Sequence, residues 1–259
     1  MQRIQFIELH EQEWFPDFLR NDVTDTLQGG LNLSRAYRAI VPLLQRALEP
    51  AGDRSIVDLC SGGGGPWLDL ARQLRGKAGE LRVCLTDKYP NAGAFAYTQV
   101  RSEIPVRFYT DPVDARDVPP DLTGFRTMFT SFHHFPPEEG RGIIQDAVSA
   151  RQGIGIFEVT RRTALTIILI VLWSIASFVF TVFVHPFRWS RLFWTYIVPV
   201  IPLVLLFDGV VSCLRTYRPA EFLELVGKLS ADYEWEAGEF RDSYFKLPIT
   251  YLIGYPRKL

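Results

Sequence analysis

VDLCSGGGG, Val57–Gly65, is a short apolar strand that runs straight into four consecutive glycines. Glycine loses more backbone entropy on folding than any other residue, so such a run needs a reason. A flexible loop is one reading. The other is a turn where the backbone comes very close to a bound ligand. The flanks favour the second: SIVDL precedes the glycines as a strand, and PWLDLARQL follows as a helix with Pro66 suited to its first turn.

Working outward, the alternation continues. LRVCLTD reads as a strand, NAGAFAYTQVR as a helix, VRFYTD and FRTMFTSF as strands, GRGIIQDAVSA as a helix and GIGIFEV as a strand. YRPAEFLELVGKL then reads as a helix, and YEWEAGEFR and ITYLIGYP as an antiparallel pair closing the sheet. This is the pattern of an α/β protein with a doubly wound, mostly parallel seven-stranded sheet. Ligands in such sheets bind at the carboxyl ends of the strands, near the point where strand order reverses. The polar residues cluster at those ends: Asp58, Asp87, Asp114, and Ser131 with His133 and His134. Asp87 closes the second strand, twenty-three residues past Gly64, where an acidic side chain is placed to accept hydrogen bonds from a ribose.

The first thirty residues mix charges with Phe6, Trp14, Phe15 and Phe18 and read as a helical arm that packs on something. Tyr37, Ile40, Val41, Leu44 and Leu48 follow a helix face, with Pro42 implying a kink or break.

D-x-C-x-G-x-G at 58–64 resembles motif I of the class I S-adenosylmethionine-dependent methyltransferases, with Cys60 where that family often keeps its first glycine. The resemblance continues through TDKYPN, PVDARDVP and TSFHHFPP, and covers roughly residues 50–160 and the C-terminal helix and hairpin. It implies S-adenosyl-L-methionine as cofactor, held by Asp58, Cys60, Ser61, Gly62, Gly64, Asp87, Asp114, Ala115 and Ser131, with the ribose on Asp87 and the adenine near Asp114 and Ala115. Such a cofactor carries no phosphate, so no P-loop lysine is needed. Its chemistry is an in-line displacement, which requires alignment and exclusion of water.

His133 and His134 follow the fourth strand directly. Adjacent positions point in different directions and no third ligand lies near in sequence, so no metal site is expected. The pair either supports its loop by hydrogen bonds or presents one imidazole to the methyl acceptor.

Residues 163–184 form a charge-free run of twenty-two residues, long enough to span a bilayer core. A second run, Leu192–Phe207, holds Pro199 and Pro202 and is short and bent. Arg188, Trp189 and Arg191 lie between them. A positive connector argues against a spanning hairpin. It favours an in-plane or re-entrant pair with those arginines at the headgroups, and a lid or dimer interface is the soluble alternative. Asp208 stands out in LLFDGVVSC and reads either as the partner of Arg215 or another structural arginine, or as a group that orients an acceptor amine or hydroxyl. His133, His134 and Asp208 are the candidate catalytic residues.

The 259 residues carry a net charge of −1 and no long basic stripe, so no nucleic-acid partner is expected. Cys60, Cys84 and Cys213 are scattered, without metal or disulfide spacing. The N-terminus is too polar for a signal peptide, so a cytosol-facing location is expected. The expected organisation is an arm or cap at 1–50, a cofactor-binding core at 51–160, an apolar helical insertion at 161–215 and a completing segment at 216–259. The expected function is methyl transfer to a lipophilic small molecule or lipid headgroup at the cytoplasmic face of a membrane. The competing possibility is a non-catalytic, cofactor-binding scaffold that recruits partners through its apolar helices.

Overall fold

The strand that ends in the glycine turn is the hub of the sheet. In the computed structural model, which describes residues 1–51, 54–76, 81–227, 229, 231–241 and 248–257, β1 (Ser55–Leu59) pairs in parallel on both sides. One partner is β2 (Arg82–Leu85), followed outward by β3 (Val106–Phe108). The other is β4 (Phe125–Phe129), followed by β5 (Ile154–Glu158). β7 (Ile249–Pro256) adds antiparallel to β5, and β6 (Tyr233–Phe240) antiparallel to β7. The order β3-β2-β1-β4-β5-β7-β6 is the expected doubly wound sheet with its C-terminal hairpin. Strand order reverses at β1, so the glycine turn sits at the switch point.

Both faces of the sheet are covered, as an apolar parallel sheet requires. On one face Ile56 of β1 joins a core with helices α2 (Val41–Ala51), α3 (Trp67–Leu74) and Phe95 of α4 (Ala92–Arg101). On the other, Val57 and Leu59 join residues of α5 (Pro137–Ser149) and α9 (Pro219–Val226). The alternation of 56 against 57 is the two-residue period of a strand. The expected helix through Tyr37–Leu48 is broken: a 3-10 turn, Arg38–Ile40, precedes α2, and Pro42 falls in the first turn of α2, where its missing N–H costs nothing. Position 228 of the expected C-terminal helix lies outside the described residues.

The arm supplies α1 (Asp17–Ser34), and the insertion supplies α6 (Ala164–Phe180), α7 (Trp189–Tyr196) and α8 (Val200–Arg215). With the 3-10 turn that extends it, α6 forms an apolar helix over Ala164–Phe183, long enough to cross a membrane. α7 and α8 meet at a 78° bend around Pro199. Phe15, Leu19 and Val23 of the arm pack on Ile201, Val204 and Leu205 of α8. Gly30 of α1 lies so close to Trp173 of α6 that any side chain there would overlap the indole.

The arginines of the connector depart from the expectation that they face headgroups. They turn inward onto α1. Arg191, fully buried, places Nη1 3.1 Å from Asp25 Oδ2 and donates to the carbonyls of Val184 and Pro186. Arg188 Nε lies 2.8 Å from the same Oδ2, and Arg188 also reaches Asn91, the N-cap of α4, which in turn donates to Asp25 Oδ1. The physical reason is local: Asp25 is completely buried, and a buried carboxylate needs a cation beside it. Trp189 remains 78% exposed.

This clasp generates a prediction. Asp25→Ala leaves two guanidinium groups without their shared carboxylate and should destabilise the protein by about 3–5 kcal/mol, the usual cost of breaking a buried pair. Denaturant unfolding measures it. A loss of less than about 1 kcal/mol, the scale of an exposed pair, would show that the clasp does not hold the insertion.

Candidate functional site

The glycine turn is shaped by a buried carboxylate. Asp58, at the end of β1, accepts from Thr127 Oγ1 of β4 at 2.6 Å and from Ser61 Oγ at 2.6 Å. Ser61 N then donates to Thr86 O, so the turn is tied to both neighbouring strands. Burial pushes the Asp58 carboxyl up to about 7, against the pull of the Ser61 and Thr127 hydroxyls. Cys60 has φ +55°, a left-handed conformation that explains why a glycine suits that place; burial also pushes its thiol up, so it stays protonated.

The four glycines have two causes. Gly62, Gly64 and Gly65 adopt positive φ of 53°, 102° and 58°, which side chains resist. Gly63 does not; a Cβ there would meet the Thr24 carbonyl of α1 at 2.6 Å. The close approach that the run permits is therefore partly with the chain's own helix.

Above the turn lies a cavity of about 820 Å³, within the roughly 300–1,000 Å³ usual for small-molecule sites. Among the expected cofactor residues, Asp58, Cys60, Ser61, Gly62, Asp87 and Ser131 line it, and Gly63 joins them. Gly64, Asp114 and Ala115 do not. Gly64 faces Thr98 of α4, Asp114 spends its carboxylate on Arg116 (3.0 Å to Nε, 2.6 Å to Nη2), and Ala115 is buried in the core. Asp87 accepts Gly62 N at 2.7 Å and Tyr89 N at 2.8 Å, one bond per oxygen, which leaves further lone pairs for hydroxyl donors. Burial raises its carboxyl. Ser131 Oγ is buried, with no partner among the described residues other than the neighbouring Cys60 thiol.

The opposite end of the cavity is a polar floor that the sequence reading missed in part. A 3-10 turn of the arm, Leu9–Glu11, delivers Glu8, His10 and Glu11 beside His133 and His134. His133 is 1% exposed, with Nδ1 2.7 Å from Glu158 Oε2 and Nε2 3.4 Å from Glu8 Oε1. Burial opposes its charge, but these two carboxylates push it up to about 9, so it is an imidazolium at neutral pH and a poor proton acceptor. His134 bonds to Glu11 through Nδ1; burial, with His10 and Arg215 beside it, pushes it down to about 4, so it is neutral. Asp208 does not pair with Arg215. Its Oδ1 accepts Leu9 N at 2.7 Å, and its Oδ2 meets His10 N and Nδ1 at 3.1 and 2.7 Å, so it anchors the arm to α8. Arg215 instead places Nη1 2.9 Å from Glu11 and 3.3 Å from Glu8. One signal in the arm was available: Glu8 and Glu11 stand three apart, on one face of a helical turn, with no basic neighbour between them except His10.

The wall between turn and floor is apolar: Val23 and Leu27 of α1, Leu169, Ile170 and Trp173 of α6, and Leu205 of α8. The insertion is thus part of the site.

No family model and no curated protein matches this chain. Among solved structures, it is similar to the plantazolicin methyltransferase BpumL in complex with SAH (10% identity, 93% of this chain and 96% of that one, TM-score 0.47). It is also similar to magnesium protoporphyrin IX methyltransferase (ChlM) from Synechocystis PCC 6803 with bound SAH (14%, 88% and 86%, TM-score 0.45) and to the mitomycin 7-O-methyltransferase MmcR (15%, 86% and 53%, TM-score 0.47). At such values these likenesses carry no weight for what this chain binds.

The raised Asp58 carboxyl has a measurable sign. The unfolded carboxyl titrates near 3.8 and the folded one near 7, so the folded state holds the extra proton between them. Stability from this group therefore falls as pH rises through that window, by up to about 1.4 kcal/mol per pH unit. The stability difference between the wild type and Asp58→Asn, followed by urea unfolding from pH 4 to 8, should change with that slope. A difference flat with pH would mean that Asp58 is already ionised when folded.

Proposed function

We propose that this chain is a class I S-adenosylmethionine-dependent methyltransferase acting on a lipophilic acceptor. The observation that carries the reading is the charge of the glycine turn. From Cys60 to Gly65 it bears no cation, and the Asp87 carboxylate faces the cavity beside it, while Asp58, pushed up to about 7, is only partly ionised. A pyrophosphate on that turn would meet the Asp87 carboxylate and no cation of the turn itself, although Arg20 and Lys88 line the same cavity; a ribosyl cofactor with a cationic sulfonium and ammonium suits the turn better. The residues present fit such a group. Asp87 has acceptor capacity to spare for ribose hydroxyls, and Ser131 Oγ is a buried polar atom with no partner among the described residues beyond the Cys60 thiol.

When bound, S-adenosylmethionine supplies an activated methyl group. The chain's own residues do the rest. Asp87 and the glycine turn fix one end of the cavity. The wall of Leu169, Ile170, Trp173 and Leu205 excludes water and takes an apolar acceptor body. The floor of Glu8, His10, Glu11 and His134 meets the acceptor's polar atom and orients it.

The route into the cavity supports a greasy acceptor. Leu172 and Ala176 of α6 line the cavity and are also exposed, so the opening lies along an apolar stripe. Leu165, Ile168, Leu172, Ile175, Val179 and Phe183, spaced three or four apart, are each more than half exposed on that helix. We read the stripe as lying in the plane of a membrane surface at its cytoplasmic side, with the folded body against it.

Two measurements test this function. Asp87→Ala should weaken S-adenosylmethionine binding by about 1.5–3 kcal/mol in titration calorimetry, roughly ten- to a hundredfold. Unchanged affinity would remove Asp87 from the site. For the membrane part, the protein should float with phospholipid vesicles, and the pair Ile175→Glu with Val179→Glu should abolish flotation while cofactor affinity is kept. Wild-type protein that ignores vesicles would make the stripe an interface with protein instead.

A further inference from the structure

The sequence shows two adjacent histidines and no third ligand near them, but the fold brings further donors from the arm and from α8. A ring nitrogen of His10, a ring nitrogen of His134 and a carboxylate oxygen of Glu8 lie within 4.8 Å of one another. Glu8 Oε2 is 4.0 Å from His10 Nδ1 and 3.9 Å from His134 Nδ1. Asp208 Oδ2 and Glu11 Oε1 stand against those same two imidazole nitrogens. Metal bonds from nitrogen or carboxylate oxygen are about 2.0–2.2 Å, so donors on a tetrahedral ion lie roughly 3.4 Å apart, and the 3.9–4.0 Å here needs a closure of only about half an ångström.

The carboxylates are set up as ligands are in metal centres, with one oxygen fixed from behind. Glu8 Oε1 accepts from Ser212 Oγ at 3.0 Å and lies 3.3 Å from Arg215 Nη1. Glu11 Oε2 lies 2.9 Å from the same nitrogen, and Asp208 Oδ1 accepts Leu9 N at 2.7 Å. In each case the other oxygen is the one that faces the imidazoles. His133 Nε2, 3.4 Å from Glu8 Oε1, adds to the hold on that rear oxygen.

We propose that Glu8, His10 and His134, flanked by Glu11 and Asp208, bind one divalent first-row transition-metal ion at the floor of the cavity. Paired imidazoles with carboxylates suit zinc, iron(II) or manganese rather than calcium or magnesium, which take oxygen alone. Glu8, His10, Glu11, His134 and Asp208 all line the cavity, so the ion keeps an open side. An acceptor oxygen reaching that side would be held in place and would lose its proton more readily. The site stands independently of the methyl-transfer reading, because the metal is titrated with no cofactor present.

The test uses the full chain after dialysis against a chelator, with Zn²⁺ as the calorimetric probe and Co²⁺ as the spectroscopic one. The expected result is one Zn²⁺ per chain. Glu8→Gln and His10→Ala should each weaken binding at least tenfold, and Ser212→Ala, which only loosens the hold on Glu8, by about tenfold. His185→Ala, a histidine outside the cluster and stacked on Tyr97, should change nothing. Absence of stoichiometric binding overturns the proposal, as does binding that survives Glu8→Gln and His10→Ala or depends on His185. Should the cluster variants fail to fold, the wild-type Co²⁺ spectrum decides. Visible bands of a nitrogen-ligated, low-coordinate ion support the site, and the weak spectrum of hydrated cobalt refutes it.

Discussion

Helix α1 lies so close to the glycine turn that one Cβ at Gly63 would strike the Thr24 carbonyl at 2.6 Å. Much else is built on that contact. One residue on, Asp25 clasps Arg188 and Arg191 and so pins the insertion to the sheet domain. Five residues beyond, Gly30 admits Trp173 of α6, which lines the cavity. A single helix from the arm thus closes the turn at one end and positions the apolar wall at the other. The cavity is formed by the sheet, the arm and the insertion jointly, and no one of them encloses it alone.

The floor follows a second logic. Burying Glu8, His10, His133, Glu158, Asp208 and Arg215 together costs desolvation, and each group is tolerated because its neighbours carry the opposite charge or a hydrogen-bonding hydroxyl. The arm enters this network through Leu9 N and His10, both held by Asp208. A charged residue in an apolar helix is therefore the point where the N-terminus is fastened, and that fastening places three polar side chains where an acceptor's head would lie.

The sheet was legible in the sequence because its signals are local. Apolar runs of four or five residues, each bounded by a polar C-terminal end, gave the strands, and Gly62–Gly65 with Asp58 and Asp87 gave the switch point. The break before α2 was legible from Pro42, as a kink or a break. The placements that escaped depend on long-range contacts. Glu8 and His10 reach the site across about two hundred residues of chain to meet Asp208 and Ser212, and nothing near them in sequence reports that. Arg188 and Arg191 read as headgroup anchors because their partner, Asp25, lies more than 160 positions away. Asp114 and Ala115 read as adenine contacts from the resemblance, but the nearby Arg116 claims the Asp114 carboxylate.

The central claim is that this cavity transfers a methyl group. The most direct measurement incubates the purified protein with S-adenosylmethionine and a membrane lipid extract and follows S-adenosylhomocysteine and methylated extract components by mass spectrometry. The account predicts S-adenosylhomocysteine in step with one extract component that gains a methyl group. S-adenosylmethionine that binds and is recovered unchanged, with no methylated component, would contradict it and leave a scaffold that holds the cofactor without using it.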